Sequence, residues 1–309
     1  MASLANFLAG LASFADTGEE SYPKPTGKSP IPHTLRQTRI MKIIEHFSQA
    51  KNPLSEGEDG WIVTEHFAAV IDGSTSKARH PFSDGQTPGR KAMLAVRDAI
   101  RTLQPEAHLN EALAHLTHAI RCIDTDDAAM LPETRPTCSA AIYSDYRKSV
   151  WLIGDCQCIA NNFLHQNSKL VDRILTTIRA DILHYLLAHG HTESELQEYD
   201  IGRQFIMDAL RDQTGFANDN TPCNPYTYPV LNGKPIQADR VVCIKVQSAE
   251  IVLASDGYPR LMPTLSASED ALQALLLTDP LCIHSNASTK GLTAGNTSFD
   301  DRTYLRILI

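Results

Sequence analysis

The chain lacks several features that would each have settled its class. No stretch approaches the roughly 20 consecutive apolar residues of a membrane helix, so no membrane span is expected. The opening MASLANFLAGLASFAD sets Leu4, Phe7, Leu8, Leu11 and Phe14 at helical spacing, but no Lys or Arg precedes them, which argues against a secretory leader. Basic charge is in deficit, with 28 Lys and Arg against 36 Asp and Glu and a formal charge of −8, and this argues against nucleic acid as a partner. Cysteine pairing is absent from the pattern: seven cysteines make an odd number, and most sit in apolar runs such as VVCIKV, as reduced core thiols do. A reducing, cytoplasmic setting is the expectation. Internal repeats at a period of 20 to 50 residues are also missing.

What remains is ordinary globular material, 309 residues long, 42% hydrophobic and 21% charged, enough for one large domain. Residues 17 to 33, TGEESYPKPTGKSPIPH, are rich in proline and poor in apolar content. They predict an N-terminal extension and linker over 1–33, with the folded domain at 34–309.

Within that domain, blocks of strands alternate with blocks of helices. RIMKIIEHF (39–47) reads as a strand, and GWIV and HFAAVID as a tight hairpin ending at Asp72. RKAMLAVRDAIRTL and NEALAHLTHAIRCI change to helical period, with Met93, Val96, Ile100 and Leu103 on one face of the first and Leu113, Leu116, Ile120 and Ile123 on one face of the second. CSAAIYS and SVWLIGDCQCIANN return to strands through a Gly154-Asp155 turn. A second helical block runs from Lys169 to Ala188 and again from Thr192, where Thr192 and Glu195 form a capping-box pair. YTYPVL, an Asn232-Gly233 turn, DRVVCIKV and EIVLASDG follow; then Ser266 and Glu269 are expected to cap a last helix, and TYLRILI closes the chain as a strand. Antiparallel neighbourhoods with helices inserted in pairs predict α+β layers, sheets inside and helices outside.

Three aspartates stand at strand boundaries far apart in the chain. Asp72 ends AAVI and precedes Gly73; Asp256 ends EIVLAS and precedes Gly257; Asp300 and Asp301 stand just before the last strand. A lone Asp-Gly reads as a turn, with the acid capping a loop amide. Three together read as hard oxygen donors suited to Mg²⁺ or Mn²⁺, whereas zinc would want the histidines or thiolates that are missing here. Cys156 and Cys158 share a strand face, but without a second pair at ligand spacing they read as packing thiols. The acidic run DTDD (124–127) reads as a loop.

The set GED, VIDG, GD, LASDG and DDRT, in that order, resembles the metal-dependent protein phosphatases of the type 2C (PPM) family from about residue 38 to the C-terminus. The resemblance implies an antiparallel β-sandwich of two sheets flanked by paired helices, in α-β-β-α layers. It implies two Mn²⁺ or Mg²⁺ ions at one edge, with Asp72 bridging them, the Gly73 carbonyl on one, and Asp256 and Asp300 as the other direct ligands. Glu58, with Asp59 beside it, corresponds to an acid reaching a metal through water, and Asp155 to one near an additional, weaker ion. The activity implied is hydrolysis of phosphoserine or phosphothreonine esters in a phosphorylated protein substrate by a metal-activated water. The alternative is a catalytically impaired pseudophosphatase serving as a regulatory or binding module.

The departures from the family pattern are specific. Ser74 stands where eukaryotic members have a histidine credited with protonating the leaving group, and Arg260 where an acid for the third metal often stands. The family's phosphate-gripping arginine has no counterpart, Leu54 standing four residues before Glu58; Lys51, Lys77, Arg79 and His80 are the candidates to replace it. IDGST has a superficial likeness to haloacid-dehalogenase-like phosphatases, but those need a nucleophilic Asp where this chain has Val70.

Overall fold

Polar and apolar residues alternate along KIIEHFSQ, and this segment forms β1 (Lys42–Gln49) with every second residue turned inward. The computed structural model describes residues 41–77, 84–123 and 134–309, so the expected extension and linker, the DTDD run, Arg79 and His80 lie outside the described residues. β2 (Gly60–Val63) and β3 (Phe67–Gly73) make the hairpin expected from GWIV and HFAAVID, with Gly60 opposite Ile71 and Val63 opposite Ala68. β4 (Cys138–Ser144) and β5 (Ser149–Ile153) extend that sheet, and β8 (Val242–Lys245) closes it, in the order β2-β3-β4-β5-β8. The other sheet runs β1-β10-β9-β6-β7, from β6 (Gln157–Ala160), β7 (Phe163–Gln166), β9 (Glu250–Ala254) and β10 (Arg302–Leu308). Every pairing in both sheets is antiparallel.

The central strands β3, β4 and β5 are apolar on both faces because both faces are covered. Ala69, Ile71, Ala140, Ile142, Trp151 and Ile153 face α1 (Pro88–Thr102) and α2 (Leu109–Arg121), meeting Met93, Val96, Ile100, Leu113 and Leu116. The alternate residues, Ala68, Val70, Ala141, Tyr143, Val150 and Leu152, face the opposite sheet and meet Ile251, Leu253, Leu305 and Ile307. Cys156 and Cys158 lie buried in that second layer, as packing thiols should. At about 1.5–3 kcal/mol for each large side chain removed from water, these two layers dominate the burial that holds the sandwich. The fold is thus the expected α+β arrangement of two antiparallel sheets with helices outside.

Differences from the expectation are local and physical. β7 was not anticipated: Asn161 and Asn162 both adopt positive φ (55° and 65°), which turns the chain through a two-residue hairpin into a strand only four residues long. YTYPVL makes only isolated bridges, Ala217 to Tyr228 and Cys138 to Leu231, rather than a ladder strand. The second helical block is α3 (Leu170–Ala188) followed by three short helices, α4 (Glu193–Glu198), α5 (Ile201–Phe205) and α6 (Met207–Asp212). Thr192 and Glu195 do cap α4 reciprocally. The last helix, α7 (Leu265–Thr278), is capped by Thr264, whose hydroxyl accepts from Ala267 N; Ser266 sits inside the helix, and Glu269 serves a different purpose described below. Among the described residues no helix is long and apolar enough to cross a membrane.

Candidate metal centre

The acids converge because the turns that carry them are clasped together. Asp301 is the clasp: its Oδ2 accepts Glu58 N at 2.7 Å and its Oδ1 accepts Lys51 N at 2.9 Å, which ties the entry to β10 to the loop before β2. Gly257 lets the turn after β9 touch the same place, since a Cβ there would lie 2.0 Å from Asp301 O. Ser255 N donates to Thr303 O at 3.0 Å and Thr303 N to Ser255 Oγ at 2.9 Å, locking the Asp256 turn beside β10. On the other sheet, Asp72 lies opposite Ser139 in the β3–β4 register, and Ser139 Oγ donates to Asp155 Oδ1 at 2.5 Å. Asp155 sits where the chain leaves β5 in one sheet and enters β6 in the other, so it too faces the shared edge.

Asp72, Asp155 and Asp256 each present an oxygen within 4.8 Å of the others, and all are half-buried. Asp300 lines the same cavity, of about 580 Å³, but both its oxygens are engaged by lysines. Oδ1 accepts Lys51 Nζ at 3.0 Å, and Oδ2 pairs with Lys290 Nζ. Glu58 Oε2 accepts the Thr75 hydroxyl at 2.6 Å, while Glu58 Oε1 and Asp59 Oδ2 are buried without a hydrogen-bond partner. Buried acid oxygens are normally satisfied, so the two orphans mark a place built for something positive. Among the described residues no hydrogen bond or ion pair reaches the carboxylates of Asp72 or Asp256.

The electrostatics divide the acids into two groups. Burial, and then the charges of Asp59, Asp155 and Asp300, push the Asp72 carboxyl well above the usual range; burial and the charge of Asp72 do the same to Asp256. Asp59 is raised by burial and by its acidic neighbours, against a hydrogen bond from Ser255. Asp155 and Asp300 go the other way: burial raises them, but the ammonium of Lys169, 2.6 Å from Asp155, and those of Lys290 and Lys51 beside Asp300 outweigh it. Lys77 lines the cavity and pairs with no acid among the described residues, and burial together with the charges of Lys290 and Arg203 pushes its ammonium down to about 7. Ser74 lines the cavity; Arg260 is exposed and away from it. Sequence reasoning missed Lys169 and Lys290. Neither carries a local signal, since each meets its acid only after the chain has folded back.

No protein-family model matches the chain, and no curated protein matches it. Solved structures with a similar arrangement include the serine/threonine phosphatase PstP/Ppp of Mycobacterium tuberculosis, at 15% identity over 87% of this chain and 99% of that one, with a TM-score of 0.41. Serine/threonine phosphatase Stp1 from Staphylococcus aureus matches at 14% identity over 87% and 95%, with a TM-score of 0.44. The catalytic domain of PstP in complex with 2 manganese ions matches at 15% identity over 87% and 98%, with a TM-score of 0.42. Overlaps this loose say nothing about chemistry, which must come from the residues of the site itself.

Proposed function

We propose that the chain is a Mn²⁺- or Mg²⁺-dependent phosphatase hydrolysing phosphate monoesters of serine and threonine in proteins. One observation carries the reading: acids from remote strand ends share one cavity edge, and two buried acid oxygens there have no partner. The donor set fits a hard divalent cation. All of it is oxygen, and the nearby thiols of Cys138 and Cys156 are pushed up by burial and by the charge of Asp72, which keeps them protonated and unfit as ligands. Asp72 and Asp256 would hold the cation, with Asp155 within 4.8 Å of both but already paired with Lys169, and the Glu58 and Asp59 oxygens behind them; the family likeness adds the Gly73 carbonyl and Asp300. Bound there, such a cation supplies Lewis-acid activation of water and neutralises charge on the phosphoryl oxygens.

The chain's own residues supply the rest. Lys290 puts positive charge on the cavity wall where an incoming phosphate would sit, in place of the family's arginine, and Lys77, held down to about 7, stands beside it ready to take up a proton. Ser74 offers a hydroxyl at the position where a histidine would protonate the leaving group. The cavity is open and polar, as a site for a phosphorylated segment of another protein requires. Turnover of p-nitrophenyl phosphate and of a phosphothreonine peptide, with Mn²⁺ and with chelator, tests the reading in the parent and in Asp256→Asn. Metal-dependent hydrolysis lost in the variant supports it; a folded parent that turns over neither substrate with Mn²⁺ removes it.

A second reading, the non-catalytic binding module, is favoured by the lysines on Asp300 and Asp155, which neutralise acids that would otherwise face metal. Binding of the phosphopeptide without turnover is its signature.

A further inference from the structure

The acids at this edge fall into an open half and a closed half. In the open half stand Asp72 and Asp256, whose carboxylates meet no cation among the described residues; the orphaned oxygens of Glu58 and Asp59 lie behind the edge, Glu58 sharing the Thr75 hydroxyl with Lys51. In the closed half stand Asp300, with an ammonium on each oxygen, and Asp155, with Lys169 Nζ on Oδ2 at 2.6 Å and the Ser139 hydroxyl on Oδ1 at 2.5 Å.

Neither lysine is a loose surface side chain. Lys51 is fixed by its own amide on Asp301 Oδ1 at 2.9 Å, by its carbonyl accepting Thr297 N at 2.8 Å, and by its Nζ on Thr75 Oγ1 at 3.0 Å. Lys290 ends a loop clipped from behind. Arg179, fully buried, donates to the carbonyls of Leu281 at 2.9 Å, Cys282 at 3.3 Å and Ser288 at 2.9 Å, while Arg203 donates to Thr289 O at 2.6 Å. Asp279 gathers the amides of Ile283, His284 and Ser285, each at 2.9 Å. Arg179, ion-paired with Asp200, thus fixes a loop that lines the cavity from Asn286 to Lys290, and Lys290 is its charged member there.

We propose that Lys51 and Lys290 take the place of a second divalent ion at Asp300, so that this centre binds one cation, in the open half, beside a fixed pair of lysine charges. The inference rests on the metal-dependent reading above and narrows it: the resemblance implies two ions, and this chain builds one of them from side chains. The physical reason is competition for one carboxylate. An ion at Asp300 would have to displace two ammonium groups already in contact with it, or sit against them with like charge a few ångströms away, on the order of 4 Å.

Stoichiometry tests this without reference to turnover. The full chain, stripped with chelator, is titrated with Mn²⁺ while the free ion is followed by its paramagnetic resonance signal, in the parent, Lys290→Arg and the double variant Lys51→Met/Lys290→Met. The expected result is one tight equivalent in the parent and in Lys290→Arg, and a second equivalent in the double variant, tightened at least about tenfold over its value in the parent. Two tight equivalents in the parent overturn the inference and leave the metal-dependent reading standing. No tight equivalent in any form removes both. One equivalent in a double variant that melts like the parent also overturns it, because the lysines then exclude nothing. Should the double variant fail to fold, the single variant Lys290→Gln carries the same comparison, with a second equivalent expected and its absence counting against the proposal.

Discussion

Arg302 grips Glu269 with a two-point fork, Nε to Oε1 at 2.8 Å and Nη2 to Oε2 at 2.9 Å, and so ties the first residue of β10 to α7. The guanidinium is buried; it also reaches Gln49 Oε1 at 2.9 Å and Ser298 Oγ at 3.2 Å and lies over the ring of Phe47. Because Arg302 follows Asp300 and Asp301 directly, this fork fixes the turn that brings both acids to the site.

Removing the acid of that fork should therefore destabilise the chain. Glu269→Gln leaves a buried guanidinium without its counter-charge, and the expected loss is about 2–4 kcal/mol, read as a fall in the urea midpoint. Burial raises the Glu269 carboxyl, and the hydrogen bonds from Arg302 and Tyr258 more than offset it, leaving it below the ordinary value of 4.5. A carboxyl depressed in the folded state contributes its stability above the unfolded value and loses it as pH falls through the folded one. The gap between parent and variant should hold at neutral pH and close below about pH 4.5. A variant that unfolds with the parent at pH 7 would show that the fork carries no weight.

Asp256→Asn should do the opposite to the metal-free protein. Its carboxyl is raised well above 3.8 by burial and by the charges of Asp72 and Asp300, so its ionised form is unfavourable in the folded state. For an acid raised by folding, stability falls as pH climbs from the unfolded value towards the folded one. In chelator at neutral pH the variant should melt higher than the parent. The advantage should vanish below about pH 3.8, where the acid is protonated in both states. With Mn²⁺ the order should reverse, because only the parent gains binding energy. Scanning calorimetry with and without Mn²⁺ reads both signs, and a variant less stable than the parent in chelator contradicts the electrostatic account.

The reach of sequence reasoning followed the range of the interactions involved. Asp72 and Asp256 were legible because each interrupts an apolar run where a strand ends, and the Asp300-Asp301 pair because it stands just before a strand begins; strand ends in a sandwich gather at its edges. The hairpin at Thr64, the faces of α1 and α2, and the Thr192 cap were legible because a few neighbouring residues specify them. β7 was not, since Asn161 and Asn162 turn the chain into a strand too short to show alternation. The charge pattern of the centre was not legible either. Lys51 meets Asp300 across 249 positions, and Lys290 sits in NASTKG, which reads as a solvated loop until Arg179 is seen behind it. Likewise Glu269 reads locally as a helix cap, because its partner, Arg302, lies 33 residues on.

Gly257→Ala should damage fold and site together. A Cβ at this position would stand 2.0 Å from Asp301 O and 2.8 Å from Arg302 Cβ, so the turn carrying Asp256 must back away from β10. Overpacking of this kind costs about 1–3 kcal/mol or more. Urea denaturation and Mn²⁺ affinity measured on the same preparation should fall in parallel, whereas lost stability with unchanged affinity would separate the turn from the site.

Arg179→Met asks whether the loop ending at Lys290 is held from behind. The arginine is fully buried, forks onto Asp200 Oδ2 at 2.9 and 2.7 Å, and satisfies three carbonyls of the 281–288 segment. Methionine fills much of the volume but takes the donor from Leu281 O and Ser288 O, leaves Cys282 O with Ser288 N alone, and leaves Asp200 without its counter-charge, a loss of about 3–5 kcal/mol where one partner of a buried pair is removed. The sandwich core lies in other residue clusters, so the damage should concentrate in the loop. Amide hydrogen exchange should accelerate at Ile283, His284 and Ser285 well before it does in β4 or β9. Asp279, the Ser288–Cys282 backbone bond and Arg203 on Thr289 would then hold the loop, and Lys290 would be fixed less firmly on Asp300. Unchanged exchange at those three amides would mean that Asp279 holds the loop by itself, and that the buried arginine serves α3 and α5 rather than the metal centre.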